Sequence, residues 1–470
     1  MITSIKINGF KSFQNFEMEF TPLTVIAGTN ASGKSNMFDA LMLLARLAEV
    51  DLRTAFEEQR GNPIEMFSQY GENRYANEME FVVEMLVNRK VKDKWGGEAE
   101  LNNTRLRYKL IITRKNNSLG FEDLYVKEEA LDKIRPADDK WIKKFKRAVP
   151  LTKTLRAGGS RDPFIYTENK GSDVAIKIRQ DGKQGGKATP ADTISQTVLG
   201  GVNTVDFPHV FAAKEEMRSW RLLQLNPEYL REPTLQEPGI KDYITSTGKN
   251  LASALFRIQQ MDNYNLVEIS RKLHSFLPDF TEVNVYDDKA HRQYIIKLKG
   301  EDGKEYSSRV LSEGTLRLLA LCILEYDEKH TGLLCFEEPE NGIHPLRIKA
   351  MTALVKALST DFHDPDLPLR QVIINTHSPV LLNEMMQWKN DPNVSVHFSE
   401  MRTRVTEVDG ERMKLNISKI TPVLMVKEPS GTQIDFVFTM QDIKYTMATV
   451  KEYLATVDLA TTIKHLPSYD

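Results

Sequence analysis

Glycine, lysine and serine stand near the N-terminus at a spacing that suits phosphate binding. Gly28, Gly33, Lys34 and Ser35 form the pattern G-x-x-x-x-G-K-S, between an apolar run (23–27) and a stretch with helical periodicity. In a loop that connects a strand to a helix, glycines let backbone N–H groups face phosphates, and the N-terminus of the helix adds positive potential. Lys34 would reach the β- and γ-phosphates, and Ser35 would bind Mg²⁺. The pattern predicts a nucleoside triphosphate site.

A pair of carboxylates supplies a second chemical element. Glu337 and Glu338 directly follow the apolar run Leu333 to Phe336. Taken alone, two glutamates after a strand usually form a solvated strand end, because such residues are seldom buried. Together with a phosphate loop, the first is expected to hold Mg²⁺ through water and the second to act as general base toward an attacking water.

A histidine repeats this arrangement further along the chain. The apolar run Val372 to Ile374 ends shortly before Thr376, His377 and Ser378. In open α/β sheets, ligands bind outside the carboxyl ends of the strands. A lone histidine is more often an ordinary surface or core residue, but this position favours contact with the γ-phosphate or the lytic water. We therefore expect His377 to act beside Glu338 in catalysis.

A polar turn joined to an apolar helix forms the fourth candidate element. Ser312, Glu313, Gly314 and Thr315 precede the run "LRLLAL". One explanation is structural, with Ser312 as the N-cap of a core helix. The other is functional, since the start of a helix binds anions. Both can hold together.

Length and composition narrow the class of protein. A chain of 470 residues exceeds what one hydrophobic core usually organises and suggests two or three units. The formal charge of −2 means that any nucleic-acid contact must come from a local patch. Cys322 and Cys335 lie in apolar runs, which is typical of a reduced cytoplasmic protein. The sequence contains no signal-peptide pattern and no apolar run near the roughly 20 residues needed to span a bilayer, so we expect no membrane partner.

Four ordered motifs carry a resemblance to a known superfamily. The order "GTNASGKS", "LSEGT", "LLCFEEPENGIHP" and "INTHSP" resembles the ABC-type ATPase heads of SMC and RecF proteins. It is similar, more closely, to stand-alone ATPases related to the OLD proteins, many of which serve in anti-phage systems such as PARIS or Septu. The resemblance covers about 1–90 and 207–390. It implies an α/β fold of the P-loop NTPase, ABC/RecF-like head type, with an inserted α+β lobe.

The resemblance also implies a division of the chain and a set of roles. The expected units are an N-terminal head part (1–90), a β-rich inserted lobe with a basic helix (91–206), a C-terminal head part (207–390) and an extension for partner or oligomer contact (391–470). The expected ligands are ATP, bound by Gly28, Asn30, Gly33, Lys34, Ser35, Asn36 and Lys11, and Mg²⁺, bound by Ser35 and Glu337. Glu338 becomes the catalytic base and His377 the switch histidine. The glutamine that usually completes the magnesium site is not fixed, and Gln224, Asn226 and Gln69 remain candidates.

In such heads the signature loop serves a second copy of the chain. The resemblance implies that Ser312, Gly314 and Thr315 contact the γ-phosphate held by another subunit, in a homodimer or higher homo-oligomer. We expect the Glu313 carboxylate to point away from that phosphate while its backbone N–H faces it.

A basic segment lies within the expected lobe. Residues 140–161 hold many cations and no acid. The candidates for a nucleic-acid or partner contact are Lys140, Lys143, Lys144, Lys146 and Arg147. The alternative is a solvated amphipathic helix whose aromatic residues, Trp141 and Phe145, pack inward.

The resemblance implies an ATPase that acts as sensor or scaffold in bacterial anti-phage defence. The range 391–470 begins with a sheet-like segment, continues into a tail with helical pattern, and contains no acidic cluster resembling a Toprim nuclease. We therefore expect a separate effector, a nuclease or toxin, acting in trans. A RecF-like DNA-repair ATPase that clamps DNA directly is the alternative, and a nucleotide-locked scaffold with negligible turnover is a third possibility. DNA or RNA is a possible partner of the basic segment.

Overall fold

The structure is a computed structural model, and it describes most of the chain. The described residues are 1–72, 74–117, 119–145, 155–158, 162–170, 173–179, 186–190, 195–237, 242–360, 362, 369–388, 390–408, 411–424, 446 and 448–455. Lys146 and Arg147 lie outside them.

The strands, in chain order, are β1 (Ile2–Asn8), β2 (Phe16–Glu19), β3 (Leu23–Gly28), β4 (Gln69–Gly71), β5 (Arg74–Tyr75), β6 (Glu78–Leu86), β7 (Lys90–Lys92), β8 (Glu98–Glu100), β9 (Arg105–Asn116), β10 (Glu122–Lys133), β11 (Ile165–Lys170), β12 (Asp173–Arg179), β13 (Gly186–Pro190), β14 (Arg221–Leu223), β15 (Thr234–Leu235), β16 (Phe280–Asp288), β17 (Gln293–Gly300), β18 (Glu305–Ser307), β19 (Gly332–Glu337), β20 (Arg370–Thr376), β21 (Val394–Val408) and β22 (Glu411–Leu424).

The helices are α1 (Lys34–Leu47), α2 (Leu52–Glu57), α3 (Lys140–Phe145), α4 (Pro208–Arg218), α5 (Pro227–Arg231), α6 (Leu251–Met261), α7 (Asn263–Phe276), α8 (Glu313–Tyr326), α9 (Ile348–Ala357) and α10 (Pro379–Met386). Short 3₁₀ helices span Pro63–Met66, Ser308–Val310 and Pro345–Arg347. Residues 448–455 are also helical. No helix in the described ranges is long and apolar enough to cross a bilayer.

A six-stranded sheet carries the predicted nucleotide motifs. Its order is β14-β19-β20-β3-β21-β22, and all neighbours except β21 and β22 are parallel. The central strands are apolar on both faces because helices cover both sides, as parallel sheets require. In β3, Ile26 packs into the core that contains α1, whereas Val25 packs into the core that contains α8, α9 and α10. This arrangement confirms the predicted α/β P-loop fold.

An eight-stranded antiparallel sheet spans the expected boundary at residue 90. Its order is β13-β12-β11-β10-β9-β6-β1-β2. The strands β1, β2 and β6 come from the first expected unit, and β9 to β13 come from the expected lobe. The two parts are joined by backbone pairing, since Phe81 of β6 lies opposite Ile7 of β1 on one side and Leu110 of β9 on the other. The β-rich lobe therefore extends a sheet that begins at the N-terminus.

The hairpin of β21 and β22 joins the nucleotide sheet. It lies within 391–470, and β21 pairs in parallel with β3, so that Val396 lies opposite Val25. The Ser399 hydroxyl donates to the Ser32 carbonyl of the phosphate loop at 2.9 Å. The C-terminal range thus supplies two strands of the head and one support of the loop. Of the helical tail pattern predicted beyond residue 437, the part at 446 and 448–455 is helical, and the rest lies outside the described residues.

Candidate nucleotide-binding and hydrolytic site

The phosphate loop connects β3 to α1, as the sequence predicted. Lys34 Nζ donates to the carbonyls of Gly28 at 2.9 Å and Thr29 at 2.7 Å. Burial lowers the pKa of Lys34, although the nearby carboxylates of Glu338, Glu340 and Glu337 oppose that shift. The amine is therefore held at the mouth of the loop by weakly basic carbonyl groups, which a phosphate oxygen can replace.

Gly33 is required by both its backbone and its surroundings. Its φ is +90°, and a Cβ at this position would lie 1.7 Å from Ser418 Oγ of β22. A side chain at residue 33 would therefore be strained and would also displace the hairpin. The loop closes against β22 only because this residue is glycine.

Three side chains converge beside the loop. Ser35 Oγ donates to Glu337 Oε1 at 2.9 Å, and Gln224 Nε2 donates to Glu337 Oε2 at 2.8 Å. Gln224 directly follows β14, whose parallel neighbour is β19, the strand that ends at Glu337. Asn226, by contrast, accepts from Glu228 N at 2.9 Å as the N-cap of α5. Of the candidate glutamine-loop residues, Gln224 is the one that contacts the carboxylate.

Glu338 and His377 form a second pair at the same edge. His377 Nδ1 lies 2.7 Å from Glu338 Oε1, and Asn341 Nδ2 donates to Glu338 Oε2 at 2.8 Å. Glu338 has a φ of +47°, which is uncommon for a residue with a side chain. Its backbone N–H donates to the Asn375 carbonyl at 3.0 Å, which holds that conformation.

Electrostatics keep Glu338 ionised. Partial burial would raise the pKa of its carboxyl, but hydrogen bonds from Asn341 and His377 and the charge of Lys34 outweigh it, and the net shift is downward. Glu340 differs, because burial raises its pKa even though the Thr376 hydroxyl donates to it. The edge therefore presents Glu338 as a carboxylate that can accept a proton, whereas Glu340 lies deeper in the structure.

The signature loop caps α8 and packs against the segment after Glu338. Ser312 Oγ accepts from Thr315 N at 3.2 Å and lies 2.8 Å from Thr315 Oγ1. A Cβ on Gly314 would lie 2.9 Å from the Gly342 carbonyl, so only glycine permits this approach. The Glu313 carboxylate accepts from Arg317 one turn along the helix, at 2.7 Å. Ser312 is therefore an N-cap, as its structural explanation requires.

Three other residues expected to bind nucleotide, Lys11, Asn30 and Asn36, lie in the phosphate loop or near α1. Lys11 Nζ donates to Asp39 Oδ2 at 2.6 Å, and Asn36 Nδ2 donates to Ser12 Oγ at 2.6 Å. Asn30 is exposed in the loop.

Gln69 lines a cavity of about 630 Å³ together with Lys11, Tyr70, Tyr75 and Lys414. A cavity of about 480 Å³ lies instead beside Gln224, Asn226, Arg317, Glu337 and Glu338.

The basic segment does not form one exposed patch in the described part of the chain. Lys144 donates to Glu19 Oε2 at 2.6 Å, and its side chain is 10% exposed. Lys143 is exposed and donates to the Ala137 carbonyl at 2.6 Å. Trp141 is buried and donates to the Phe20 carbonyl at 2.8 Å, as the amphipathic alternative predicts. Lys140 is exposed at the start of α3.

Two family models match the chain. The model described as "AAA ATPase domain" matches residues 1–178, which contain the phosphate loop. The model described as "AAA domain, putative AbiEii toxin, Type IV TA system" matches residues 199–383, which contain Gln224, the signature loop, both carboxylates and His377. A comparison with curated proteins found no match.

Solved SMC heads align with most of the chain at low identity. The structure described as an SmcHead bound to the C-winged helix domain of ScpA aligns at 13% identity and a TM-score of 0.47, over 90% of this chain and 98% of that chain. The SMC head domain from Thermotoga maritima aligns at 14% identity and a TM-score of 0.35, over 90% of this chain and 98% of that chain. A Pyrococcus furiosus Smc head bound to the C-terminal domain of ScpA aligns at 13% identity and a TM-score of 0.41, over 96% of this chain and 98% of that chain.

The phosphate loop and the carboxylate strand each lie inside one of the two AAA models, and both belong to one parallel sheet. The chain therefore has a mixed α/β fold of the P-loop ATPase type, and it is similar to AAA ATPase domains over residues 1–178 and 199–383.

Proposed function

We propose that this chain is an ABC-type ATPase head of the SMC and RecF superfamily that binds ATP with Mg²⁺ and hydrolyses it. The observation that carries the proposal is the meeting of two side-chain groups at one sheet edge. Ser35, Glu337 and Gln224 are joined by hydrogen bonds of 2.9 and 2.8 Å. Glu338 and His377 form the adjacent pair. Such a site combines oxygen ligands for a metal with a base for water, as phosphoryl transfer requires.

The residues present fit Mg²⁺. The hydroxyl of Ser35 and the carboxylate of Glu337 supply the oxygen ligands that this ion prefers, and Gln224 holds that carboxylate through Nε2. Asn375 Oδ1, buried beside Glu337, has no hydrogen-bond partner among the described residues and can accept from a water of hydration. When bound, Mg²⁺ would offset the charge that develops on the phosphate oxygens.

The remaining steps fall to the chain's own side chains. Lys34 Nζ would exchange the carbonyls of Gly28 and Thr29 for oxygens of the β- and γ-phosphates. Glu338 would accept a proton from the attacking water as its oxygen bonds to the γ-phosphorus and the bond to the ADP oxygen breaks. His377 holds the Glu338 carboxylate in place through Nδ1. The products are ADP and phosphate, with the proton on Glu338.

The ATPase proposal is tested by phosphate release from ATP. Wild-type protein should release phosphate in the presence of Mg²⁺, and Lys34→Ala should lose nucleotide binding and release together. Lys6→Ala is a matched control, because Lys6 is an exposed lysine of β1 that pairs with Glu17. Equal release by wild type and Lys34→Ala would contradict the proposal.

The site is proposed to be completed by a second copy of the chain. Ser312 caps α8 by accepting from Thr315 N, and Gly314 lies in the first turn, where the peptide dipoles of the helix start favour an anion. The Glu313 carboxylate is engaged by Arg317. This pairing supports a loop whose anionic side chain does not compete with a phosphate.

We further propose that the ATPase is the sensor or scaffold of an anti-phage system and controls a separate nuclease or toxin. The support is the model that matches 199–383, whose description names a toxin and a toxin–antitoxin system. Co-expression with the product of the neighbouring gene should give a complex, on a sizing column, whose amount differs between ATP and ADP. DNA-stimulated hydrolysis that is lost in a Lys140→Ala/Lys143→Ala variant, with no such complex, would instead favour the repair function.

A further inference from the structure

The helical segment at 448–455 reaches the backbone of the switch histidine. The Tyr453 hydroxyl donates a hydrogen bond to the His377 carbonyl. The two residues are 76 positions apart, and the carbonyl belongs to the residue whose side chain contacts Glu338. This contact joins the C-terminal part of the chain to the hydrolytic pair.

Packing holds Tyr453 in this position. Its ring meets that of Phe398 edge-on, with centroids 5.5 Å apart and planes at 70°. Val450, one turn earlier, is 1% exposed and belongs to the core that also contains α8, α9 and α10. Leu454 packs against the same core. The hydroxyl is therefore presented by a fixed ring, and Phe398 belongs to β21, which pairs with the loop strand β3.

His377 is thereby held at two points, and the residue before it is held at a third. Its Nδ1 lies 2.7 Å from Glu338 Oε1, its carbonyl accepts from Tyr453, and the preceding Thr376 donates to the buried carboxyl of Glu340. Burial, together with the charge of Glu340, raises the pKa of Tyr453 to about 12. The phenol therefore keeps its proton and remains a donor throughout the neutral pH range.

We propose that Tyr453 is a positioning residue for hydrolysis, which sets the His377 ring against Glu338 by holding the His377 carbonyl. The inference rests on the proposed ATPase function and deepens it. A backbone bond to residue 377 controls the direction of its side chain, and small misplacements of catalytic groups are costly to the rate. The contact does not involve Lys34, Ser35 or Glu337. Its loss should therefore slow turnover and leave nucleotide binding unchanged.

The conservative variant Tyr453→Phe separates the hydrogen bond from the packing. The phenylalanine ring still fits against Phe398, but it has no hydroxyl. We expect kcat for ATP to fall about 5- to 10-fold, the effect of losing one hydrogen bond expressed as a rate, with the Kd for ATP unchanged. Tyr108→Phe is the matched control: it removes a buried hydroxyl that donates to Glu129 at 3.1 Å in the other large sheet. That variant should keep the wild-type kcat.

A double-mutant cycle with His377→Ala decides whether Tyr453 acts through the histidine. In the His377→Ala background, Tyr453→Phe should cause no further loss of kcat, because the group that it positions is gone. Three results would each overturn the inference. The first is an unchanged kcat in Tyr453→Phe, and the second is a loss of ATP affinity in that variant as large as its loss of kcat. The third is a further loss of kcat in the double variant as large as the one that Tyr453→Phe causes alone. Folded wild-type protein that binds ATP but does not turn it over would instead overturn the proposed function.

Discussion

Gln224 donates from Nε2 to Glu337 Oε2 at 2.8 Å, across a separation of 113 positions in the chain. The two residues meet because β14 and β19 are parallel neighbours and each ends at the same edge of the sheet. The strands β20 and β3 continue the row, and they bring His377 and the phosphate loop to this edge. Sheet order therefore assembles the candidate site from four separate segments.

The contact between Gln224 and Glu337 predicts a role in holding Mg²⁺. Gln224→Ala removes one polar group beside the metal carboxylate and leaves Ser35 in place. The Mg²⁺ concentration that gives half-maximal ATP hydrolysis should rise about 10-fold, as expected for the loss of a partner of a ligating carboxylate. A titration of steady-state ATPase activity with Mg²⁺ measures the change.

Gln69→Ala provides the matched control. Gln69 lines the cavity beside Lys11 and not the one beside Glu337. The same substitution there should leave the Mg²⁺ requirement at its wild-type value. Equal shifts in the two variants would show that the contact seen at Gln224 does not bear on the metal.

The signature loop predicts complementation between two inactive variants. Lys34→Ala damages the phosphate loop, and Ser312→Arg damages the surface offered to a second chain. If each site takes Lys34 from one chain and Ser312 from the other, a mixed dimer keeps one intact site. An equal mixture should regain about a quarter of wild-type activity, because half of the dimers are mixed and each has one of two sites. Phosphate release after mixing is the measurement.

Ser312→Arg removes the N-cap of α8 as well as the surface offered to a second chain, so the effect of losing a cap needs its own control. Asp262 caps α7 by accepting from Tyr264 N at 2.9 Å, so Asp262→Ala removes a cap at another helix. It should lower the free energy of unfolding by about 1 kcal/mol and leave ATP hydrolysis intact. A mixture of Lys34→Ala and Ser312→Arg that stays inactive, although the two proteins form mixed dimers, would exclude the shared site.

Glu129 predicts a pH dependence of stability away from the site. Its carboxyl is fully buried and accepts from Val198 N at 2.7 Å and Leu199 N at 2.8 Å. Burial raises its pKa from 4.5 to about 7, although those hydrogen bonds oppose the shift. The folded protein therefore keeps this proton up to about pH 7, whereas the unfolded chain releases it near pH 4.5. The contribution to stability is largest at low pH and is lost as the pH rises from about 4.5 to 7.

Glu129→Gln is expected to flatten that dependence. From pH 5 to pH 8, the free energy of unfolding of the wild type, measured with urea, should fall by about 2 to 3 kcal/mol more than that of the variant. Glu128→Gln, a change at the neighbouring residue that pairs with Lys109 on the surface, should keep the wild-type slope. Parallel curves for Glu129→Gln and the wild type would contradict the raised pKa.

Much of the site was predictable because its motifs are continuous in sequence. Lys34, Glu337 and His377 each follow an apolar run that forms a buried strand, and the carboxyl ends of such strands meet. Gln224 was one of three open candidates because β14 is only three residues long. Its contact with Glu337 arises from the strand order, which the local pattern does not specify.

Two other features depend on tertiary contacts. The basic run around α3 predicted a binding patch or an amphipathic helix, and the choice depends on Glu19, which pairs with Lys144 from a distant strand. The tail pattern predicted a helix, but nothing in it indicated that Tyr453 would reach His377. Contacts between segments so far apart depend on how the sheet and its helices pack, and a single sequence does not encode that in any local signal.

The central claim is that Glu338 is the base that activates water for ATP hydrolysis at this edge. Glu338→Gln keeps the size of the side chain and the possibility of a hydrogen bond to His377, but it cannot accept the proton. With Mg²⁺ and saturating ATP, the steady-state rate of phosphate release should fall at least about 100-fold, while the Kd for ATP stays within about 2-fold of wild type. Wild-type turnover by Glu338→Gln would contradict the claim.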